Sequence, residues 1–333
     1  MIIEIKPYEN KYRTGVVELL QYLWPWTEQE RYERFNWEYV GNPSHPEPLA
    51  VVAVNEDDEV LGFRGWVPGI ANSNGKRYLI ARAADAVVSP KGRRQGIFTK
   101  MTFFSLEYLR NNGVDAILNL TSNEQSNPGN LKLGWQAIGK LNIWCNPVWP
   151  HVKKQLQDTV IIKKNGYQIE LMPHIPYDLN IVTNAERIAF SMAEGQLGWL
   201  GKMPGNGFLT ALTRKSDGTI DNVFVFGFGK GRKTPLYYMN VNEGKSGKTT
   251  FREACKFLSP GVISAWGMAL DERNSTFLKK VGFIKIPFFE KIRKDPPILV
   301  RSVLDPEIDD GWLLEDKDIR DLNNWQLMIA DLF

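Results

Sequence analysis

The period of the apolar positions changes repeatedly along this chain, and each change marks an element. Residues 2–5 form a short apolar run suited to a strand, and residues 12–23 carry an apolar stripe at helical spacing. Thr27 followed three residues later by Glu30 is a capping box, which predicts a second helix from Glu28 to about Tyr39, ending before the turn Gly41, Asn42, Pro43. Residues 49–54 and 60–67 are β-branched runs joined by an acidic turn, a hairpin pattern. Residues 78–89 make a third run that ends at Pro90, after which Ile97, Met101, Phe104 and Tyr108 keep to one helical face. Asn111, Asn112 and Gly113 supply a left-handed stop, and residues 114–120 then read as a buried strand. Strand, glycine-containing loop, helix and strand in that order predict two parallel strands and an α/β chain with a mixed sheet.

The second half repeats the first in outline. Residues 207–213 and 222–229 echo the hairpin, and Trp199 echoes Trp37. The strand, loop, helix, strand order returns over residues 236–270. A matching tail follows each final strand, NEQSNPGNLKLGW after the first and DERNSTFLKKVGF after the second. An internal duplication is the economical account. Pro147 and Pro150 break the pattern within residues 144–160, which marks a linker. The expected division is therefore 1–145, a linker over 146–170, a second unit over 171–300, and an acidic, Trp-containing tail over 301–333 whose structure the pattern leaves open.

With 333 residues, 43% of them hydrophobic, two such units have enough material for a sizeable core. The 41 basic and 38 acidic side chains nearly cancel, so no global field steers the chain to nucleic acid or to a membrane surface. Any anion site must be local. Cys145 and Cys255 are too few and too far apart for a disulfide framework, which fits a reducing cytoplasm, and neither they nor His45, His151 and His174 have metal-ligand spacing. The charged N-terminus lacks the apolar core of a secretory signal, and no uncharged apolar stretch approaches the roughly 18 residues of a membrane span.

The loop after Pro90 is where chemistry concentrates. It lies just past a strand, opens a helix, and holds Arg93, Arg94 and Gly96. A helix N-terminus leaves backbone N–H groups unpaired and carries a partial positive charge, so a pyrophosphate can satisfy both. Gly96 permits close approach, and Lys91 adds charge. A lone RxxG is more often an ordinary basic turn, and the surrounding residues must decide. The segment GKSGKT at 244–249 invites comparison with a nucleotide P-loop, but the first required glycine is Asn242.

The segment VVSPKGRRQGIFT, Val87 to Thr99, resembles the acyl-coenzyme A signature of the GNAT acyltransferase superfamily at Arg93 and Gly96, and departs from it at Phe98, where a small residue is usual. Asn123, Ser126, Lys132, Gly134 and Trp135 are similar to that superfamily's second coenzyme-facing segment. A further likeness is to tandem GNAT proteins of bacterial polysaccharide and sugar-modification gene clusters, whose FxWxYxxNP appears here as Phe35, Trp37, Tyr39, Asn42 and Pro43. The resemblance implies a GNAT fold in two tandem halves. The first would be catalytic; the second, which lacks an arginine-led RxxGxG, would be degenerate. It also implies acetyl-CoA as co-substrate and a small amine acceptor, an amino sugar or nucleotide-linked amino sugar, with no nucleic acid and no metal.

For the coenzyme the resemblance nominates Val87, Val88, Arg93, Arg94, Gln95, Gly96, Ile97, Phe98, Thr99, Asn123 and Ser126, the two valines through a backbone N–H that would hold the oxyanion. Asp85, on the strand that leads into the loop, is the nominated general base, or else a surface partner for Arg82. Trp24, Trp26, Phe35, Trp37 and Trp66 either stack on the acceptor or fill the core, and Arg64 and Arg82 are the anchors for an acceptor phosphate. The tyrosine that often protonates the leaving thiolate is replaced by Asn130, and by Leu278 in the repeat. Two other readings stay open: a Fem-type transferase using aminoacyl-tRNA, also built of two GNAT-like halves, and a coenzyme-binding module without activity.

Overall fold

A computed structural model of the protein describes residues 2–121, 126–140, 143–148, 156–164, 166–177, 179, 186–192, 195–228, 233–242, 244–258, 261–266, 272–285, 297–305 and 307–332. The first half runs β1 (Glu4–Pro7), α1 (Arg13–Leu19), α2 (Glu28–Phe35), β2 (Leu49–Val54), β3 (Val60–Ser73), β4 (Lys76–Val88), α3 (Ile97–Asn111), β5 (Ala116–Asn119), α4 (Asn127–Lys132) and β6 (Gln136–Lys140). The expected capping box is formed: Thr27 N–H donates to the Glu30 carboxylate at 2.8 Å and Glu30 N–H to the Thr27 hydroxyl at 3.3 Å. The helix then passes into a π-turn over Asn36–Val40 that buries Trp37 and Tyr39.

The remaining elements are β7 (Ile143–Val148), β8 (Val160–Lys164), β9 (Tyr167–Met172), β10 (Ile188–Phe190), α5 (Gln196–Leu200), β11 (Gly207–Arg214), β12 (Ile220–Phe228), β13 (Lys233–Val241), α6 (Gly244–Cys255), β14 (Gly261–Trp266), α7 (Glu272–Lys280), β15 (Ile284–Lys285) and β16 (Pro297–Ser302). Among the described residues the strands assemble into two large sheets whose orders correspond. One runs β1-β2-β3-β4-β5-β16-β6; the other, read from its far edge, runs β8-β9-β11-β12-β13-β14-β7-β15. In each, the strands before and after the major helix, β4 with β5 and β13 with β14, are parallel as the pattern requires. The duplication read from the sequence is thus a duplication of sheet order.

The boundary between halves falls elsewhere than the sequence suggested. Each sheet takes in a strand from the other half: β16 lies antiparallel between β5 and β6, and β7 lies between β14 and β15. The segment expected as a linker, 146–170, contains the end of β7, all of β8 and part of β9. Pro147 misleads because it reads as a breaker, yet it lies one residue from the end of β7, opposite Val262 of β14 and past the described pairing with β15. The tail is core as well, with Trp312 and Trp325 at 1% and 0% exposure in a cluster that includes Val16, Phe63, Phe208 and Tyr237 from both halves.

Where the halves meet, Trp37 and Trp199 stack with ring centroids 4.4 Å apart and planes 4° from parallel. Each indole N–H donates to the other's carbonyl, at 2.7 and 2.6 Å, so the two equivalent tryptophans satisfy one another. No described helix is long and apolar enough to cross a membrane.

Candidate active site

The site begins with a strand pair that comes apart. β4 pairs with β5 only at Ile80–Arg82 against Ala116–Leu118, and past Arg82 the edge of β4 that faced β5 has no strand partner among the described residues. On its other edge β4 carries an extra residue: Arg64 pairs with Ala86 and Trp66 with Ala83, so Gly65 alone faces both Ala84 and Asp85. Splay and bulge together open a cleft of about 440 Å³. Ala83–Ala86 form one wall, Trp24, Trp26, Arg34 and Glu38 line it from the N-terminal helices, and Arg64, Phe98, Asn119, Thr121, Ser126 and Asn130 line it from the side of α3 and α4.

Asp85 sits in this cleft, not on the surface beside Arg82. Tyr39 Oη donates to its carboxylate at 2.8 Å, and the Asp85 N–H donates back to the same phenol oxygen at 3.3 Å. Gly65 makes this approach possible, because a Cβ there would stand 2.5 Å from Tyr39 Oη. Burial, and secondarily the Glu38 carboxylate, push the Asp85 carboxyl up to about 7, against the lowering pull of Tyr39, Arg34 and Trp24. A carboxylate poised there is ionised for much of the time at neutral pH yet basic enough to accept a proton. Glu38 is itself paired with Arg34 at 2.6 Å.

The loop after β4 has the shape of an anion cradle. Ser89 Oγ accepts the Gly92 N–H, closing a tight turn over Pro90–Gly92. Arg94 and Gly96 then take left-handed backbone, at φ 64° and 70°, and α3 starts at Ile97 with no side-chain cap. The backbone N–H groups of 94–99 find no acceptor among the described residues. A Cβ at Gly96 would meet nothing within 4 Å, so the space above the helix start is open. Arg93, Arg94, Gln95, Gly96 and Thr99 surround it, whereas Lys91 is tied to Glu59 at 2.6 Å. Unpaired amides, a helix start and the two exposed guanidinium groups are what a diphosphate needs, so the residues present fit a coenzyme A at this loop.

The other nominated residues divide. Val87 packs in the main core and Val88 against Leu61 and Ile97, so only their backbone is available to the splayed edge. Ile97 is 2% exposed and anchors α3, while Phe98 reaches into the cleft. Ser126 lines the cleft, and Asn123 lies outside the described residues. Three nominated acceptor contacts are corrected. Trp37 is buried against Trp199, Trp66 is 0% exposed and stacks on Trp135, and Arg82 donates to the carbonyls of Val67, Pro68 and Asp331. All three follow from strand and helix positions that face the core, which spacing within one element cannot separate from a cleft. Of the aromatic group, Trp24 and Trp26 do line the cleft, stacked 5.4 Å apart.

Sequence reasoning missed Tyr39, Glu38, Asn119 and Thr121. The signal available for Tyr39 was its place in the FxWxYxxNP segment; for the others there was none, because they converge only through the splay.

Residues 4–135 match the family model described as an acetyltransferase (GNAT) domain. No curated protein matches the chain. Among solved structures it is similar to a probable N-acyltransferase from Enterococcus faecalis, at 14% identity and a TM-score of 0.61 over 90% of this chain and 73% of that one. It is similar also to a GCN5-related N-acetyltransferase from Anabaena variabilis, at 10% identity and 0.62 over 91% and 73%. A third, from Kribbella flavida, gives 11% and 0.58 over 90% and 71%. At such identities the likeness is one of fold.

Proposed function

We propose that this protein, whose residues 4–135 match the model of a GNAT acetyltransferase domain, moves an acetyl group from acetyl-CoA to the primary amine of an amino sugar or nucleotide-linked amino sugar, by direct attack while both substrates are bound. The observation that carries this reading is the juxtaposition of Asp85, held near neutrality, with the splayed edge of β4 and the amide cradle that follows it.

Bound acetyl-CoA supplies an activated thioester carbonyl. Asp85 accepts a proton from the attacking amine, directly or through one water, and Tyr39 fixes the carboxylate that does so. The edge of β4 past Arg82, which has no strand partner among the described residues, offers backbone N–H groups to the oxyanion, where preorganised donors count most. Asn130 stands where a proton donor to the departing thiolate is often found, and an amide is no acid at neutral pH. A thiolate of ordinary pKa about 8.5 can leave without one. The two tryptophans at 24 and 26 give the acceptor a stacking wall, as a sugar ring requires.

Thiol release from acetyl-CoA across a panel of amino sugars and nucleotide amino sugars tests the proposal. Turnover is expected with at least one sugar amine. Arg93→Glu should weaken coenzyme binding by about tenfold, because it removes a charge-assisted hydrogen bond and sets a carboxylate beside the phosphates. Calorimetry that finds no coenzyme binding in the parent protein, or equal binding after that charge reversal, refutes the cradle. Coenzyme binding without turnover on any amine refutes the transfer.

A further inference from the structure

Arg64 is the group in the cleft that neither an acetyl group nor a bare amine accounts for. It is 4% exposed, with its guanidinium over the rings of Trp66 at 4.5 Å and Phe98 at 5.1 Å. The aromatic contacts leave its hydrogen-bonding edge for the cleft it lines. Among the described residues that edge has no carboxylate, carbonyl or hydroxyl partner, and Nε is fully enclosed with none. The other enclosed arginines differ: Arg82 and Arg301 each donate to backbone carbonyls, and Arg34 pairs with Glu38. On the same cleft, Asn130 is 1% exposed and its Oδ1 is also without a partner among the described residues.

We propose that Arg64 and Asn130 form a carboxylate-binding site inside the cleft, so that one of the two substrates carries a carboxylate a few bonds from the reacting centre. An enclosed cation with no counter-ion is unfavourable, and a carboxylate seated on its free edge neutralises it through two parallel bonds. Asn130 adds a donor by a half-turn of its amide, since either end can be presented. A single cation calls for a single negative charge. Arg64 and Asp85 project from opposite faces of the sheet, toward Phe98 of α3 and toward Tyr39, and both line the one cleft of about 440 Å³. A carboxylate at Arg64 and an amine near Asp85 therefore belong to one small molecule such as an amino acid or an amino sugar acid, or to a short dicarboxylic acyl group meeting that amine.

This site rests on the acyl-transfer reading of the cleft, and its test separates the two. Wild type, Arg64→Met and Arg64→Lys are compared in two arms of a thiol-release assay. One arm uses acetyl-CoA with amino acids and amino sugar acids against their carboxamides; the other uses succinyl-CoA against butyryl-CoA on acceptors without a carboxylate. In one arm the carboxylate compound should be favoured by about 100-fold or more in kcat/KM, because a site built for a polar group strongly rejects the analogue without it. Arg64→Met should abolish that preference mainly through KM, and Arg64→Lys should restore part of it. Calorimetric titration with succinate and with succinamide needs no turnover: succinate alone should bind, and Arg64→Met should lose it while still binding coenzyme A. Should Arg64→Met fail to fold, Arg64→Lys and Asn130→Leu carry the same comparison.

Equal treatment of carboxylates and carboxamides in both arms, with succinate binding indifferent to Arg64, overturns the site even in a fully active acetyltransferase. A preference for a phosphorylated amine that has no carboxylate, lost in Arg64→Met, overturns it too, by giving the arginine to phosphate. If wild type binds no coenzyme, the transfer reading falls, and the succinate titration alone decides for or against Arg64.

Discussion

Replacing Asp85 by asparagine should move stability and activity in opposite directions. In the folded protein the carboxyl titrates at about 7 instead of the ordinary 3.8. Between those pH values the folded state holds a proton that the unfolded chain has released, so stability falls as pH rises through the window. A shift of this size corresponds to roughly 4 kcal/mol, retained below the lower value and lost above the upper one. Asparagine is neutral at every pH and forfeits none of it. Tyr39 can still donate to the amide oxygen, but the new N–H₂ must find an acceptor in an enclosed site, which costs about 1–3 kcal/mol. The variant should thus be more stable than wild type by about 1–3 kcal/mol at pH 8, and equal or weaker at pH 4. Urea unfolding at the two pH values measures this directly. Asp331, also raised to about 7 by burial, is present in both proteins and cancels in the comparison. Loss of the base should lower kcat/KM by about 10²–10⁴-fold and remove the rise near pH 7 from its profile. A variant that gains no stability on going from pH 4 to pH 8 relative to wild type, or whose kcat/KM changes by less than about threefold, refutes the role given to Asp85.

Three further outcomes follow from the packing. Gly65→Ala should displace Tyr39 from Asp85, because the added Cβ would stand 2.5 Å from the phenol oxygen; without that hydrogen bond the midpoint of the kcat/KM profile should move upward, and an unmoved midpoint contradicts the Tyr39–Asp85 pairing. Trp199→Ala removes a buried ring and leaves the Trp37 ring beside a cavity, so a destabilisation of about 3–5 kcal/mol is expected in urea titration, and a value under about 1 would show that the junction between the halves repacks. Residues 1–145 expressed alone should fail to give a cooperative unfolding transition by circular dichroism, since β6 pairs only with β16 among the described strands, and they lack β16.

Much of this architecture was written in local pattern. The capping box at Thr27 and Glu30, the hairpin of β2 and β3, the parallel crossover through α3 and its echo through α6 each depend on residues close in the chain, so periodicity and turn chemistry reveal them. The amide cradle is local too, being one loop and one helix start. The exchange of β7 and β16 is of another kind. Alternation tells which face of a strand is apolar but not which of two equivalent sheets receives it, and Pro147 disguised one of the pair as a linker. The same limit governed the cleft. Asp85 was recognisable as a carboxylate on the strand that leads into the loop after β4, but its elevated pKa needed burial and the Glu38 carboxylate, both brought by other elements. Arg64, Trp66 and Arg82 are indistinguishable by spacing, and tertiary packing alone sent Trp66 to Trp135, Arg82 to the tail, and Arg64 to an opening where no counter-ion among the described residues meets it. Elements follow from neighbours in sequence; a site follows from which elements are pressed together, and that is decided by burial across the whole chain.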